Sequence, residues 1–319
     1  MDNKYTSYIV EYDKYLDLVQ QNIIKLLPDV DGLARVLRES EIYSLSAGGK
    51  RIRPVLVLAA CEICGGKVQD AIAAACALEY IHTFSLIHDD LPAMDDDDLR
   101  RGKATNHKVY GEAIAILAGD ALVLNAAEIL VKDAIGTSDE TLRLGKLKAM
   151  DIITSLAGND GMIVGQVVDI ESEALLLNQS NAEDTENPIL QADYIKRLDF
   201  IHRNKTGALI AAAVLAGGLV AGADDMQLDA LRQYAEAIGL GFQIKDDLLD
   251  IESTTEELGK PTGSDEKNAK LTYPSLYGIA ASYRKLEELT FAAEKALDVF
   301  GERAAFLRDF ALGMQVRKN

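Results

Sequence analysis

The residues best suited to chemistry are carboxylates. Asp89-Asp90-Leu91-Pro92-Ala93-Met94-Asp95-Asp96-Asp97-Asp98 packs six acids into ten positions. A solvated charge run belongs in a polar segment, but this one starts where an apolar stretch ends and runs straight into Leu99-Arg100-Arg101-Gly102. It lacks the glycine and alternating ligands of an EF-hand loop. Far along the chain, Asp246-Asp247-Leu248-Leu249-Asp250 repeats the theme, and Asp246 and Asp250 share a helix face by their i, i+4 spacing. Asp89 and Asp95 would not share a face on a straight helix. Pro92 disfavours one, and a bend there would return Asp95 towards Asp89, a point the spacing leaves open. Carboxylates without clustered Cys or His suit a hard cation. Mg²⁺ takes one or two of them and fills its shell with water and phosphate oxygens, so the implied ligand is a polyphosphate bridged by metal.

A second, direct anion site is offered by Gly48-Gly49-Lys50-Arg51-Ile52-Arg53-Pro54, in which a glycine turn and three cations open a helix. The spacing is not that of a Walker A loop. Lys205-Thr206 at a helix start and Gly259-Lys260 before a polar turn are weaker candidates. His82 lies seven residues before Asp89 and shares its face on a continuous helix; a packed core histidine is an equally good reading. HExxH and GxSxG are both absent. Cys61 and Cys64 form one CxxC with neither a second pair nor a neighbouring His, which reads as small core residues on an Ala-rich helix.

The elements that must position these groups read as helices. Helical patterns cover 32–45, 54–64, 71–87, 112–132, 141–156, 159–177, 192–198, 206–221, 225–251, 273–281 and 284–300, with a polar surface loop at 178–188 and no alternating strand pattern. One all-α domain over the 319 residues is predicted, a helix bundle with a buried interior. The balance of 33 basic against 51 acidic residues, net −18, argues against nucleic acid and against an anionic membrane surface. Three cysteines point to a reducing compartment, and the first residues carry no apolar leader pattern. The 18 uncharged residues from Thr206 to Ala223 reach the lower bound for a membrane span, but their Ala and Gly content favours a helix packed inside a bundle.

Taken in order, GGKRIRP, HTFSLIHDDLPAMDDDDLRRG, GEAIAILAGDAL, GMIVGQVVDI, KTGAL, GFQIKDDLLD and GKPTGSDEKNAKLTYPSL resemble the trans-isoprenyl diphosphate synthases, over about residues 44–277. That resemblance implies mostly parallel and antiparallel helices around a deep central cavity, and a cytoplasmic homodimer. It implies Asp89, Asp95 and Asp246 as Mg²⁺ ligands with Asp90, Asp247 and Asp250 in support. Lys50, Arg53, His82 and Arg101 would hold isopentenyl diphosphate; Arg100, Lys205, Gln243 and Lys260 would hold the allylic diphosphate, and Thr206 would face the developing cation. The implied reaction ionises the allylic C–O bond, adds isopentenyl diphosphate to the carbocation and loses a proton. Phe84, five residues before Asp89, and Ser85, one turn below it, would set product length. A bulky aromatic there, with the longer first acidic motif, favours farnesyl diphosphate over geranylgeranyl or longer products. A terpene cyclase would lack GGKRIRP and carry a different second motif. A regulatory subunit or metal-binding scaffold would lose an acidic motif or the basic loop, and this chain keeps all three.

Overall fold

The computed structural model describes residues 3–179, 188–252 and 271–316. These residues pack as two compact units. The first runs to Thr154 and adds Ala213–Asp224; the second comprises Ser155–Ala212 and the chain from Asp225 onward.

The first unit is built on α1 (Asn3–Ile23), α2 (Arg35–Leu45), α3 (Ile52–Ile63), α4 (Ile72–Asp89), α5 (Asn106–Tyr110), α6 (Glu112–Gly136) and most of α7 (Glu140–Ala157). Its centre is α4, where Ala75, Cys76, Ala77, Leu78 and Tyr80 are fully buried. Alanine and glycine there let helix axes approach. On α6 the buried residues Ala115, Ala118, Gly119, Leu122 and Ala126 form one stripe. A Cβ on Gly119 would stand 2.1 Å from His88 Nε2, so the histidine ring lies on bare backbone.

The other face of α6 is apolar and exposed: Leu117 is 54% accessible, Leu124 70% and Ile135 77%. Two helical stretches, Val68–Asp89 and Glu112–Gly136, have the length and apolarity to cross a membrane; the first is 67% buried within the protein and the second 39%. The run from Thr206 to Ala223 behaves as anticipated. Its Ala212, Ala213, Val214 and Ala216 are wholly buried, and a Cβ on Gly217 would meet the Val57 carbonyl of α3 at 2.2 Å.

The second unit contains α8 (Met162–Gln179), α9 (Pro188–Ile201), a π-helical turn at His202–Gly207, the start of α10 (Ala208–Val220), α11 (Asp225–Glu252), α12 (Tyr273–Tyr277), α13 (Ile279–Ala296) and α14 (Ala305–Val316). Leu231, Tyr234, Ile238, Ile244 and Leu248 of α11 are buried, and the Tyr234 hydroxyl donates to the Leu307 carbonyl at 2.8 Å.

The periodicity is matched along most of the chain, with several differences. Helices α1, α5 and α14 lie outside the predicted set. The helix expected over 273–281 breaks at Gly278, whose φ of 79° caps α12. Thr206 belongs to the π turn and not to α10. A small antiparallel hairpin, β1 (Leu99–Arg100) and β2 (Lys103–Ala104), pairs Arg100 with Lys103. Arg101 and Gly102 make its turn at φ 54° and 75°, the left-handed pair that a two-residue hairpin requires. Strands of two residues are too short to show alternation. The loop expected at 178–188 is bounded by the end of α8 and the start of α9, and residues 180–187 lie outside the described residues.

Candidate active site

The first unit gathers the first acidic motif and the basic loop. At the end of α4 the chain turns back on itself. Met94 N donates to Leu91 O at 2.9 Å, Asp96 N to Leu91 O at 3.1 Å and Asp95 N to Asp89 O at 2.9 Å. The bend that Pro92 allowed therefore exists, and it sets Asp95 beside Asp89 despite the i, i+6 spacing. Asp89 is half-buried and Asp95 exposed. Asp90 points elsewhere: it is 3% accessible, and its Oδ1 accepts from Arg100 Nε at 2.6 Å with Arg100 Nη2 at 2.5 Å. Burial pushes the Asp90 carboxyl up and Arg100 pulls it down. Arg100 also reaches Asp97 at 3.1 Å, and Lys108 pairs with Asp98 at 2.7 Å. The acid run is thus partly neutralised from within.

In the basic loop, Gly48, Gly49 and Arg51 all have positive φ, at 82°, 114° and 52°. The three cations that look alike in sequence separate by burial. Arg51 is buried, pairs with the buried Glu79 and donates to the Leu45 carbonyl, so it fastens the loop to α4. Lys50 is exposed, and its carbonyl accepts from the Tyr12 hydroxyl at 2.5 Å. Arg101 of the hairpin turn donates to Gly48 O. Its guanidinium lies on Gly49, where a Cβ would stand 2.4 Å from Nη1, so the two basic motifs interlock.

Arg53 has a buried Nε with no hydrogen-bond partner among the described residues. Burial, Glu79 pulling against it and Arg101 adding to it, leaves the guanidinium pKa lowered to about 10. His82 is held well below the ordinary imidazole value by burial and then by Arg53, Arg101, Arg51 and Arg100. A neutral histidine facing a knot of guanidinium groups is a receptor for an anion, whose charge would relieve their mutual repulsion. Phe84 sits half-buried on α4 with its ring edge-on to His88, centroids 5.5 Å apart and planes at 86°. The Ser85 hydroxyl is turned back onto the His82 carbonyl at 2.9 Å.

The second unit holds the other acidic motif around the π turn. Lys205 Nζ pairs with Asp169 Oδ2 at 2.5 Å. The Thr206 hydroxyl donates to Gln243 Oε1 at 2.7 Å, and Gln243 Nε2 donates to Asp247 Oδ1 at 2.9 Å. Asp247 is buried, and its Oδ2 accepts from Tyr273 N at 2.8 Å. Both Asp247 oxygens therefore serve the protein. Asp246 is half-buried and Asp250 buried. The turn is clamped by two glycines: a Cβ on Gly165 of α8 would stand 2.1 Å from Lys205 N, and one on Gly239 of α11 would stand 3.1 Å from Gly207 Cα. A single π turn inside a helix places its residues off the regular register, a device that concentrates at functional sites. Lys260 lies outside the described residues.

Asp169 carries no signal of its own beyond its motif, although its spacing of four from Gly165 places it on the helix face that meets Lys205. Glu79 and His202 gave no such signal. Among the described residues no three of His, Cys, Asp or Glu assemble into a metal cage. The donor set still fits Mg²⁺, because Asp89 and Asp95 are hard-oxygen donors on adjoining backbone and Mg²⁺ needs only one or two carboxylates before water and phosphate complete its shell.

A mainly helical protein with two aspartate-rich motifs and a cation cluster built for an anion is of the class that handles diphosphate esters. The comparisons specify it. A family model described as polyprenyl synthetase matches residues 34–300. The farnesyl diphosphate synthase of Bacillus subtilis (strain 168) is 42% identical over 287 residues, covering 90% of this chain and 89% of that protein. The geranylgeranyl diphosphate synthase of Cyanophora paradoxa is 44% identical over 288 residues, covering 90% and 89%. The crystal structure of a geranyltransferase from Legionella pneumophila superposes with a TM-score of 0.82 at 32% identity, covering 99% of each chain. This chain belongs to the polyprenyl synthetase family, the trans-isoprenyl diphosphate synthases. It is a prenyltransferase of the all-α isoprenoid-synthase fold that condenses isopentenyl diphosphate with an allylic diphosphate, in a family that works with Mg²⁺.

Proposed function

We propose that the product is farnesyl diphosphate, made from isopentenyl diphosphate and dimethylallyl or geranyl diphosphate. The observation that carries this choice is the Phe84 ring, packed on α4 five residues before Asp89 and braced edge-on by His88. A large aromatic five residues below the diphosphate end limits the depth available to a growing chain. Relatives of both product lengths match this sequence to similar degrees, so the choice rests on that side chain. The test is incubation with isopentenyl and dimethylallyl diphosphates and Mg²⁺, followed by sizing of the dephosphorylated products. A fifteen-carbon alcohol is expected, and a predominant twenty-carbon product would overturn the assignment. Phe84→Ala is expected to lengthen the product; an active variant with unchanged product would show that the ring is not the floor.

In this reading Asp89, Asp95 and Asp246 would hold Mg²⁺, more than one ion per site, and Asp90, Asp247 and Asp250 support them. Bound metal supplies neutralising charge for the departing diphosphate. Lys50, Arg53, His82 and Arg101 bind isopentenyl diphosphate directly, with His82 a neutral donor among cations. Lys205, Gln243, Lys260 and Arg100 hold the allylic diphosphate. Positive charge preset where negative charge develops lowers the barrier to C–O cleavage without reorganisation. Thr206, with its hydroxyl committed to Gln243, presents oxygen dipoles to the allylic cation. The Ala- and Leu-rich interior excludes water that would quench it. The proton lost at the end is taken by the released diphosphate, so no dedicated protein base is needed.

The interlock of Gly49 and Arg101 yields a separable expectation. Gly49→Ala meets both an unfavourable φ of 114° and the Arg101 guanidinium. Because Arg101 can swing away, the variant is expected to fold and to raise the KM for isopentenyl diphosphate by about tenfold, the cost of one lost charge-assisted contact; an unchanged KM would remove Arg101 from that site.

The chain is read as one prenyltransferase domain, since the family match runs across both units, and as a homodimer. The exposed α6 stripe of Leu117, Leu124, Val131 and Ile135 supports dimerisation, because a patch of this kind on a helix otherwise faces water at a cost. A cytoplasmic location accords with three free thiols.

A further inference from the structure

We infer that His202 is a positioning residue for this reaction, holding Asp247 and, through it, the Gln243–Thr206 pair. The inference rests on the prenyltransferase reading. His202 opens the π turn and is 2% accessible, yet it makes little use of its polar atoms. Its Nδ1 is buried without a hydrogen-bond partner among the described residues, and its Nε2 stands 3.6 Å from Asp247 Oδ2. A leucine of similar volume would avoid the desolvation of two ring nitrogens, so packing alone does not account for an imidazole here.

What the ring does contact is specific. It stacks on Tyr273, with centroids 6.5 Å apart and planes 19° from parallel. The Tyr273 backbone N–H donates to the same Asp247 oxygen that His202 faces. A proton carried on Nε2 is directed at Asp247 Oδ2. From there the order runs from Asp247 Oδ1 to Gln243 Nε2, and from Gln243 Oε1 to the Thr206 hydroxyl. The last bond matters because an amide has two orientations. Asp247 accepts only, so it fixes the Gln243 nitrogen towards itself and the Gln243 oxygen towards Thr206. His202 and Tyr273 in turn fix the Asp247 carboxylate. A separation of 3.6 Å is too long for a hydrogen bond, and contacts of this kind shorten when substrate is bound. The closed loop starts and ends on the π turn, since His202 and Thr206 are its members.

Outer partners that orient the groups touching substrate are worth about 10–100-fold in activity. His202→Phe keeps the stack on Tyr273 and the apolar bulk but deletes the N–H. It is expected to retain the wild-type far-UV spectrum and a cooperative melt, to lower kcat with isopentenyl and geranyl diphosphates by 10-fold or more, and to leave the KM for isopentenyl diphosphate unchanged. His202→Gln, which restores a donor, is expected to recover part of kcat. Combined with Gln243→Leu, the two losses should not multiply, because both act through one chain. A folded His202→Phe enzyme with kcat within twofold of wild type would overturn the inference, as would multiplicative losses. Should His202→Phe fail to fold, His202→Leu takes its place; if neither folds, the histidine serves the fold and the positioning role is refuted. An inactive wild-type chain would overturn the underlying reading and this inference with it, whereas an active wild type beside an unchanged variant overturns the inference alone.

Discussion

Asp89→Ala should abolish turnover while leaving the protein folded. The loss expected in kcat is at least about 10²–10³-fold, the scale seen when a group placed for developing charge is removed. The fold should survive because Asp89 is the last residue of α4 and only half-buried. The bend after it is held by a backbone bond, Asp95 N to Asp89 O at 2.9 Å, which alanine keeps. Raising Mg²⁺ should not restore the rate. The neighbour makes the contrast: Asp90 is buried and binds Arg100 through two nitrogens, so its loss removes charge-assisted hydrogen bonds that Asp97 replaces only in part. Asp90→Ala is therefore expected to lower the melting temperature clearly, whereas Asp89→Ala shifts it little. Thermal melts run beside steady-state kinetics separate the two. An Asp89→Ala enzyme retaining a tenth of wild-type kcat at the same Mg²⁺ concentration would remove this carboxylate from the metal set.

That contrast also shows which parts of the site the sequence could convey. Residue type and spacing mark the two aspartate clusters as candidate hard-cation donors and the run from Lys50 to Arg53 as a candidate anion site, because those expectations need only local chemistry; the choice of particular residues within them comes from the family resemblance. Helices α3, α4, α6, α7 and α11 are likewise legible, since an apolar period is a property of consecutive residues. The rest depends on partners distant in the chain. Nothing near Arg51 distinguishes it from Lys50 and Arg53; Glu79 on α4 does. Nothing near Asp90 says that Arg100 will take it inward. The two-residue strands are set by the left-handed Arg101-Gly102 turn and carry no pattern of their own. The π turn is not legible because the close packing around it involves Gly165 and Gly239, contributed by α8 and α11.

The glycine of that clamp gives the second large effect. In an isolated helix Gly→Ala stabilises by about 1 kcal/mol, so Gly165→Ala would be a gain if α8 stood free. Its added Cβ would instead stand 2.1 Å from Lys205 N and 2.6 Å from Lys205 Cα. These are backbone atoms of the π turn and cannot swing aside as a side chain would. Overpacking of this kind costs about 1–3 kcal/mol, enough to reverse the sign of the propensity term. The relief available is displacement of the turn, which carries Lys205 away from Asp169 and Thr206 away from Gln243. A shift of about 1 Å in a positioning group costs on the order of 10²-fold in rate. Gly165→Ala is thus expected to lower both the melting temperature and kcat, with the kinetic loss out of proportion to the thermal one at 25 °C, where the protein remains folded. Gly313→Ala is the internal control, since it lies within α14 and a Cβ there meets nothing within 4 Å; it should raise the melting temperature and leave kcat unchanged. If Gly165→Ala behaves like Gly313→Ala, the close approach of α8 to the π turn does not hold Lys205 and Thr206 in place, and their positioning must come from side-chain partners such as Asp169 and Gln243.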